Sequence, residues 1–258
     1  SKTTAKYIHF VHSPTDKAFN KPFSFDYFDT VVLNGPHQVR TLSYLEKLRG
    51  TRAKRLPMLG CVYYDHLVEK RDRMLKAVSR KRGLSVLVAP TWGENGLLSR
   101  FGEKVLRPLL DNGFNVTLRP HPQSYMSEKP LLEFLRKQLA GYQNFHWDDG
   151  SDAMESMAHS DVMVSDISGV VFDYAFLFEK PVISIQFAPE LRGTEANDLP
   201  YQPWELTVLN SIGRQVDEAD IGSLHEIVPA MLNNTKQRAI IQQLRDEYVA
   251  NFGNAAVH

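Results

Sequence analysis

Leu84-Ser85-Val86-Leu87-Val88-Ala89 and Asp161-Val162-Met163-Val164-Ser165 decide the fold. Both runs are nearly continuously apolar. A strand with one face in water alternates apolar with polar residues, whereas a strand covered on both faces does not. The two runs therefore read as interior strands of a parallel sheet with helices on both faces. Further strands are expected at 7–11, 30–33, 58–62, 114–118, 144–147 and 181–185, each bounded by Gly, Pro, Asn or Asp. Helical patterns lie between several of them, at 36–48, 66–82, 97–112, 131–140, 151–159 and 169–178. The chain closes differently, with two successive helices expected at 217–233 and 235–250. The long polar stretch 187–203 reads as a functional loop. A fresh strand follows the basic stretch Lys70 to Arg82, so a domain boundary is expected at residue 82. Residues 1–82 then form a small or truncated N-terminal domain, and 83–258 hold a βαβαβ series and the closing helices.

Composition excludes several classes of function. The 30 basic and 30 acidic residues cancel, which argues against a whole-protein grip on nucleic acid. A single cysteine, Cys61, excludes an intramolecular disulfide framework and a thiolate metal cluster. H-E-x-x-H, G-x-S-x-G, the phosphate-loop lysine pattern and G-x-G-x-x-G are all missing. No apolar run approaches the roughly 18 residues of a membrane span, and no signal-peptide pattern opens the chain, which begins at Ser1. A cytoplasmic protein is expected. The basic stretches 47–55 and 70–82 read as a solvated face, or as one that touches an anionic membrane surface.

Four motifs sit at strand ends, where open parallel sheets gather ligands. Arg119-Pro120-His121-Pro122 follows the strand at 114–118. Its prolines stiffen the turn, His121 can move a proton near neutral pH, and Arg119 can clamp a phosphate. As a bland alternative, His121 satisfies backbone groups of the loop. Ser165-Asp166-Ile167-Ser168-Gly169 joins a strand to a helix, with Ser168 as the expected N-cap and Gly169 allowing close approach of an anion. An ordinary capped turn is the alternative there. His12-Ser13-Pro14-Thr15-Asp16-Lys17 ends the first strand, and His9 within that strand reads as structural. Ala89-Pro90-Thr91-Trp92-Gly93-Glu94-Asn95-Gly96 forms a loop able to cover a nucleotide.

Singly these motifs are weak, but their order is specific. His12-Ser13 with Lys17, then Ala89-Pro90-Thr91-Trp92, then Arg119-Pro120-His121-Pro122, then Ser165-Asp166 through Asp173 to Lys180-Pro181, resembles the CDP-glycerol glycerophosphotransferase family of teichoic-acid primases and polymerases. The resemblance implies a GT-B fold, α/β, with two Rossmann-like domains and a cleft between them. It implies an acceptor side in 1–82 and a nucleotide-donor side in 83–258. His12 matches the family's acceptor-side histidine, a candidate general base; His121 matches a second histidine serving the leaving phosphate. Arg119, Ser168 and Gly169 match positions near the diphosphate, and Thr91, Trp92 and Asp166 fall in the same donor-side motifs. Asp173 reads as holding the turn, since a carboxylate beside a diphosphate would repel it without a metal. The chain departs from the family pattern at Ser13, Gly93 and Gly169, where Gly, Arg and Ser are usual.

The expected activity moves glycerol phosphate, or another polyol phosphate, from a CDP-activated donor to a glycan or lipid-linked acceptor, releasing CMP. It needs no cofactor and no metal. Two other readings use the same fold: a glycosyltransferase using a nucleotide sugar for capsule or surface polysaccharide, and a non-enzymatic domain that binds a partner or glycan.

Overall fold

The computed structural model describes residues 5–77, 83–187 and 191–258. The chain divides into two compact units, Ser1–Glu69 with Pro189–Val208 and Gln242–His258, and Lys70–Ala188 with Leu209–Ile241. The units are interleaved in sequence, unlike the single cut expected at residue 82. Backbone bonds explain where the last segment belongs. Ala250 N–H donates to the Asn34 carbonyl, and the N–H groups of Ala255 and Ala256 donate to the Asp65 carboxylate.

In the first unit, β1 (Ile8–Phe10) pairs in parallel with β2 (Thr30–Val32). Bridges from Thr30 to Arg55 and from Leu33 to Met58 extend this small sheet. Helix α1 (Pro36–Arg49) follows β2, and α2 (Val62–Ala77) follows the bridging segment. The strand expected at 58–62 is therefore mostly absent. Cys61, Tyr64 and Leu67 are buried at three-residue spacing, a helical rather than an alternating period. The last part of the helix expected at 66–82 lies outside the described residues. Val11, Phe25, Val31, Leu33 and Leu42 form the local core. His9 packs its ring against Phe25 and Phe28, which gives it the structural role expected of it.

The second unit is a six-stranded, all-parallel sheet. Its strands are β3 (Ser85–Val88), β4 (Asn115–Leu118), β5 (Phe145–Trp147), β6 (Val162–Ser165), β7 (Val182–Gln186) and β8 (Gly213–Asp217), ordered β5-β4-β3-β6-β7-β8. Counted within the unit this is 3-2-1-4-5-6, the doubly wound order whose direction reverses between β3 and β6. On one face Val86, Val88, Val116, Leu118, Val162 and Val164 pack under helical leucines such as Leu109, Leu135 and Leu224. Helices α7 (Met154–His159) and α8 (Val170–Phe178) pack against β3, β6 and β7.

Two expectations change here. The helix expected at 97–112 is broken into α3 (Leu97–Phe101), a 3₁₀ turn and α4 (Arg107–Leu110). Gly102 takes a left-handed φ of +53° at the break, and Pro108 starts the next turn. Strand β8 was not expected, because only Val216 in it is buried and the rest is polar. The helix expected from 217 is a 3₁₀ segment followed by α10 (Leu224–Leu232).

Candidate functional site

Three of the four motifs come together in the second unit. Strands β4, β3 and β6 are neighbours and parallel, so the loops after them share the C-terminal sheet edge at the reversal point. The ladder runs one residue further, through Arg119 N–H to the Val88 carbonyl and Ala89 N–H to the Val164 carbonyl.

Asp166 ties two of these loops together. Its carboxylate is fully buried and accepts the N–H of Thr91 at 2.8 Å and of Leu97 at 2.9 Å. Burial pushes its pKa up to about 6, with the two N–H bonds pulling the other way. Beside it, the Ser165 hydroxyl donates to the Ala89 carbonyl. Asp166 was expected among the donor contacts, but its oxygens are engaged in fixing the 91–97 loop. Within that loop Gly93 has φ +98°, a conformation that suits glycine and strains any residue with a side chain.

His121 sits in the turn after β4. Gln123 N–H donates to its Nδ1 at 3.1 Å, which leaves the proton of the neutral ring on Nε2. Burial lowers its pKa below the usual histidine value, against the opposing charge of Glu128. The ring is a neutral donor near pH 7. The half-exposed indole of Trp92 stacks over it, with centroids 6.2 Å apart and planes 29° from parallel. An open cavity of about 680 Å³ adjoins Trp92, Gly93, Ser99, Glu128 and Leu131.

Arg119 is less available than its sequence suggests. Its guanidinium pairs with Asp148 at 2.9 Å and donates to the Gly150 carbonyl at 3.1 Å. Burial raises the Asp148 pKa, but the Ser156 hydroxyl, Gly150 N–H and Arg119 hold it below the usual range. Arg119 thereby fixes the loop after β5 to the loop after β4.

The start of α8 also departs from expectation. Gly169 is the N-cap residue, and no side chain caps the helix, so Ser168 does not fill the role assigned to it. Val171 and Phe172 turn their N–H groups back onto Ser168 and Gly169 carbonyls. Gly169 itself is exposed, so the positive end of the helix is open to an anion. At the far end of the motif, Lys180 Nζ donates to the carbonyls of Met157, Ala158 and Ser160, which closes the C-terminus of α7.

Sequence similarity then places these loops in a known family. A family model described as CDP-Glycerol:Poly(glycerophosphate) glycerophosphotransferase matches residues 27–218. The chain belongs to this family. It is a transferase of the CDP-glycerol glycerophosphotransferase type, and the match contains the loops after β3, β4 and β6. No curated protein sequence matches the chain. Among solved structures it is similar to the wall teichoic acid polymerase TagF, with 19% identity, TM-score 0.55, and coverage of 99% of this chain and 67% of that one. A single-residue variant of TagF gives 18% identity, TM-score 0.61, and coverage of 100% and 67%. Anabaena Alr3699/HepE, in complex with UDP and glucose, gives 13% identity, TM-score 0.52, and coverage of 98% and 68%. The chain thus spans about two thirds of these proteins. The likeness establishes a GT-B-like α/β fold with two Rossmann-like units, the first of them small.

The fourth motif lies in the first unit. His12 is exposed just beyond β1. The residues after it are held tightly. Asn34 and Gln38 donate to the Ser13 carbonyl, and Gln38 also donates to the Thr15 carbonyl. Asp16 accepts Lys17 N–H at 2.7 Å and the Thr41 hydroxyl at 3.0 Å. Asp16, Lys17 and Glu205 are all buried; burial raises both carboxyl pKa values and lowers that of the lysine. Sequence reading missed this cluster. Glu205 is remote in the chain, and only Lys17 carried a family signal.

The basic stretches are partly engaged as well. Arg49 pairs with Glu195 and Asp198, Lys54 with Glu46, and Lys70 with Asp152. Arg80, Lys81 and Arg82 lie outside the described residues. Among the described residues no helix is long and apolar enough to cross a membrane, and no cluster of His, Cys, Asp and Glu could hold a metal ion.

Proposed function

We propose that this protein transfers glycerol phosphate, or another polyol phosphate, from a CDP-activated donor to a hydroxyl of a cell-envelope glycan or lipid-linked acceptor. The acceptor oxygen attacks the phosphorus next to the polyol, the P–O bond to CMP breaks, and CMP leaves. His12 takes the hydroxyl proton. His121 donates from Nε2 to the departing phosphate, and the Gly169 and Val170 N–H groups face the diphosphate. Trp92 and Thr91 border the donor. Arg119 acts by positioning, because Asp148 holds its guanidinium. Basic residues such as Lys47, Arg73 and Lys76 suit a peripheral position on the inner face of the membrane.

The juxtaposition at one sheet edge of a neutral Nε2–H donor and an open helix N-terminus, within the family match, carries this reading. TagF also has a solved form with CDPG. A thermal-shift and calorimetry panel of CDP-glycerol, CDP-ribitol, CMP, UDP and UDP-glucose tests it. A CDP-polyol should bind most tightly, and CMP should be released when acceptor is added. Preference for a UDP-sugar would replace this reading with a glycosyltransferase that uses a nucleotide sugar. Failure to bind any nucleotide would favour a non-enzymatic domain.

Gly169→Val should weaken CDP-glycerol binding about tenfold, the scale of a helix-terminus contact, with little change in melting temperature. Undiminished affinity would remove the helix start from the donor site. Donor affinity should also rise as pH falls through the depressed His121 pKa, because an imidazolium binds a diphosphate better than an imidazole. In His121→Gln that pH dependence should vanish; its persistence would point to another group.

A further inference from the structure

Strand β1 forms an open edge of the small sheet in the first unit. The order runs β1, β2, then the bridging residues Arg55 and Met58, so among the described residues β1 pairs on one side only. The Tyr7 carbonyl accepts Thr30 N–H, and Val11 N–H donates to the Val32 carbonyl, so Tyr7 and Val11 aim these groups at β2. Backbone direction alternates along a strand, and Ile8 and Phe10 therefore aim their N–H and C=O groups at the open edge.

The side chains repeat the pattern. Ile8 and Phe10 share one face, and they are 55% and 60% exposed. On the opposite face His9 packs against Phe25 and Phe28. Soluble proteins blunt an open edge with lysine, proline or a bulge. Tyr7-Ile8-His9-Phe10-Val11 carries neither lysine nor proline, and β1 pairs with β2 in unbroken register. An unblunted edge beside two exposed apolar side chains is the surface of a strand that is paired and covered.

Topology decides the occupant. β1, β2 and the bridging segment are parallel and step outward in one direction. The second unit shows a whole sheet of this kind, in which the order 3-2-1-4-5-6 joins two sets of three that step outward from a shared centre. The steps in the first unit are therefore 1-2-3 or 4-5-6. As 1-2-3, they need a neighbour for β1 from later in the unit. Among the described residues the later parts, 189–208 and 242–258, form only helices and 3₁₀ turns, such as α9 (Trp204–Val208) and the end of α11 (Gln237–Tyr248). As 4-5-6, they need a neighbour from earlier in the chain. A parallel neighbour connects through a crossover of about a dozen residues or more, and only the seven residues Ser1 to Tyr7 precede β1. A second copy fits less well, because edges that meet about a twofold axis perpendicular to the sheet run antiparallel.

We propose that the β1 edge is covered by a parallel strand and its crossover helix, from a segment that precedes Ser1 in the full-length protein, and that this segment completes the acceptor side. Strand order reverses between β1 and the added strand, and ligands gather at such a reversal beyond the carboxyl ends of the strands. His12 follows β1. The loop after the added strand then lies beside His12 at the same sheet edge. This second part rests on the proposed function, in which His12 meets the acceptor hydroxyl.

The test compares residues 1–258 with the protein expressed from its full coding sequence. The upstream sequence should hold an apolar strand and a crossover helix leading into Ser1. By hydrogen-exchange mass spectrometry or NMR, the amides of Ile8 and Phe10 should exchange at least about tenfold more slowly in the full-length protein, the worth of one backbone hydrogen bond. Phe10→Asp should lower the melting temperature of the full-length protein and leave that of residues 1–258 nearly unchanged. CDP-glycerol affinity should be the same in both proteins, while transfer to the acceptor should be faster in the longer one. A coding sequence without such a segment, or equal exchange of these two amides in both proteins, would overturn the proposal. Dimers of residues 1–258 with both amides protected would assign the edge to a second copy and overturn it as well. Protection of the β1 amides in a full-length protein that binds no CDP-glycerol would leave the added strand standing and remove the donor reading instead.

Discussion

In His12→Ala, turnover of CDP-glycerol with a glycan or lipid-linked acceptor is expected to fall by roughly 10² to 10⁴, the usual yield of general acid–base catalysis. Donor affinity should stay nearly unchanged. The exposed imidazole of His12 follows β1, in the unit opposite in sequence to the donor loops, and its proposed partner is the acceptor hydroxyl rather than the diphosphate. His121→Ala should behave differently. It removes a neutral Nε2–H donor directed by the Gln123 N–H bond, so both turnover and donor affinity should drop. Donor affinity separates the two roles. A His12→Ala enzyme with most of its activity would end the base assignment. A His121→Ala enzyme with normal donor affinity would end the phosphate assignment.

The parts of this fold that sequence reading reached are those where one residue type carries the signal alone. β3 and β6 are apolar throughout because both faces are covered, and they appear within a residue or two of expectation. β8 pairs only with β7, at the sheet edge, and has one buried side chain, so no hydrophobic pattern marks it. The division into units depends on contacts far apart in the chain, such as Ala250 to Asn34 and Ala255 to Asp65, which local periodicity does not encode. The site follows the same rule. His121 and Trp92 were legible because prolines and a strand end mark their loops. The engagement of Arg119 was not, because its partner Asp148 lies on the loop of another strand. Family order located the motifs, but partner geometry decided which side chains remain available to a ligand.

Asp166→Asn carries the second large expectation, in stability and in its pH dependence. The carboxylate gives one oxygen to Thr91 N–H and the other to Leu97 N–H, both in the loop that presents Trp92. An amide keeps one acceptor and sets its NH₂ against the remaining backbone donor. A buried donor without an acceptor costs about 1–3 kcal/mol, so the variant should unfold at lower urea near pH 4, where the wild-type carboxyl is protonated. The 91–97 loop should loosen, and donor binding should weaken with it. Proton linkage gives an independent signature. The folded pKa of Asp166 is raised to about 6 from an ordinary value of 3.8. Between those values the folded chain holds a proton that the unfolded chain has released. The stabilisation from this group is therefore complete below the unfolded pKa and is lost as pH rises through about 6. Over that window the wild type should lose up to roughly 3 kcal/mol from this group. Asparagine does not titrate, so the wild-type advantage over Asp166→Asn should be largest near pH 4 and narrow above about pH 6. Urea unfolding of both proteins across that range measures it. A gap that stays constant, or widens with rising pH, would show that burial does not dominate at Asp166 and that the two N–H bonds hold its pKa down.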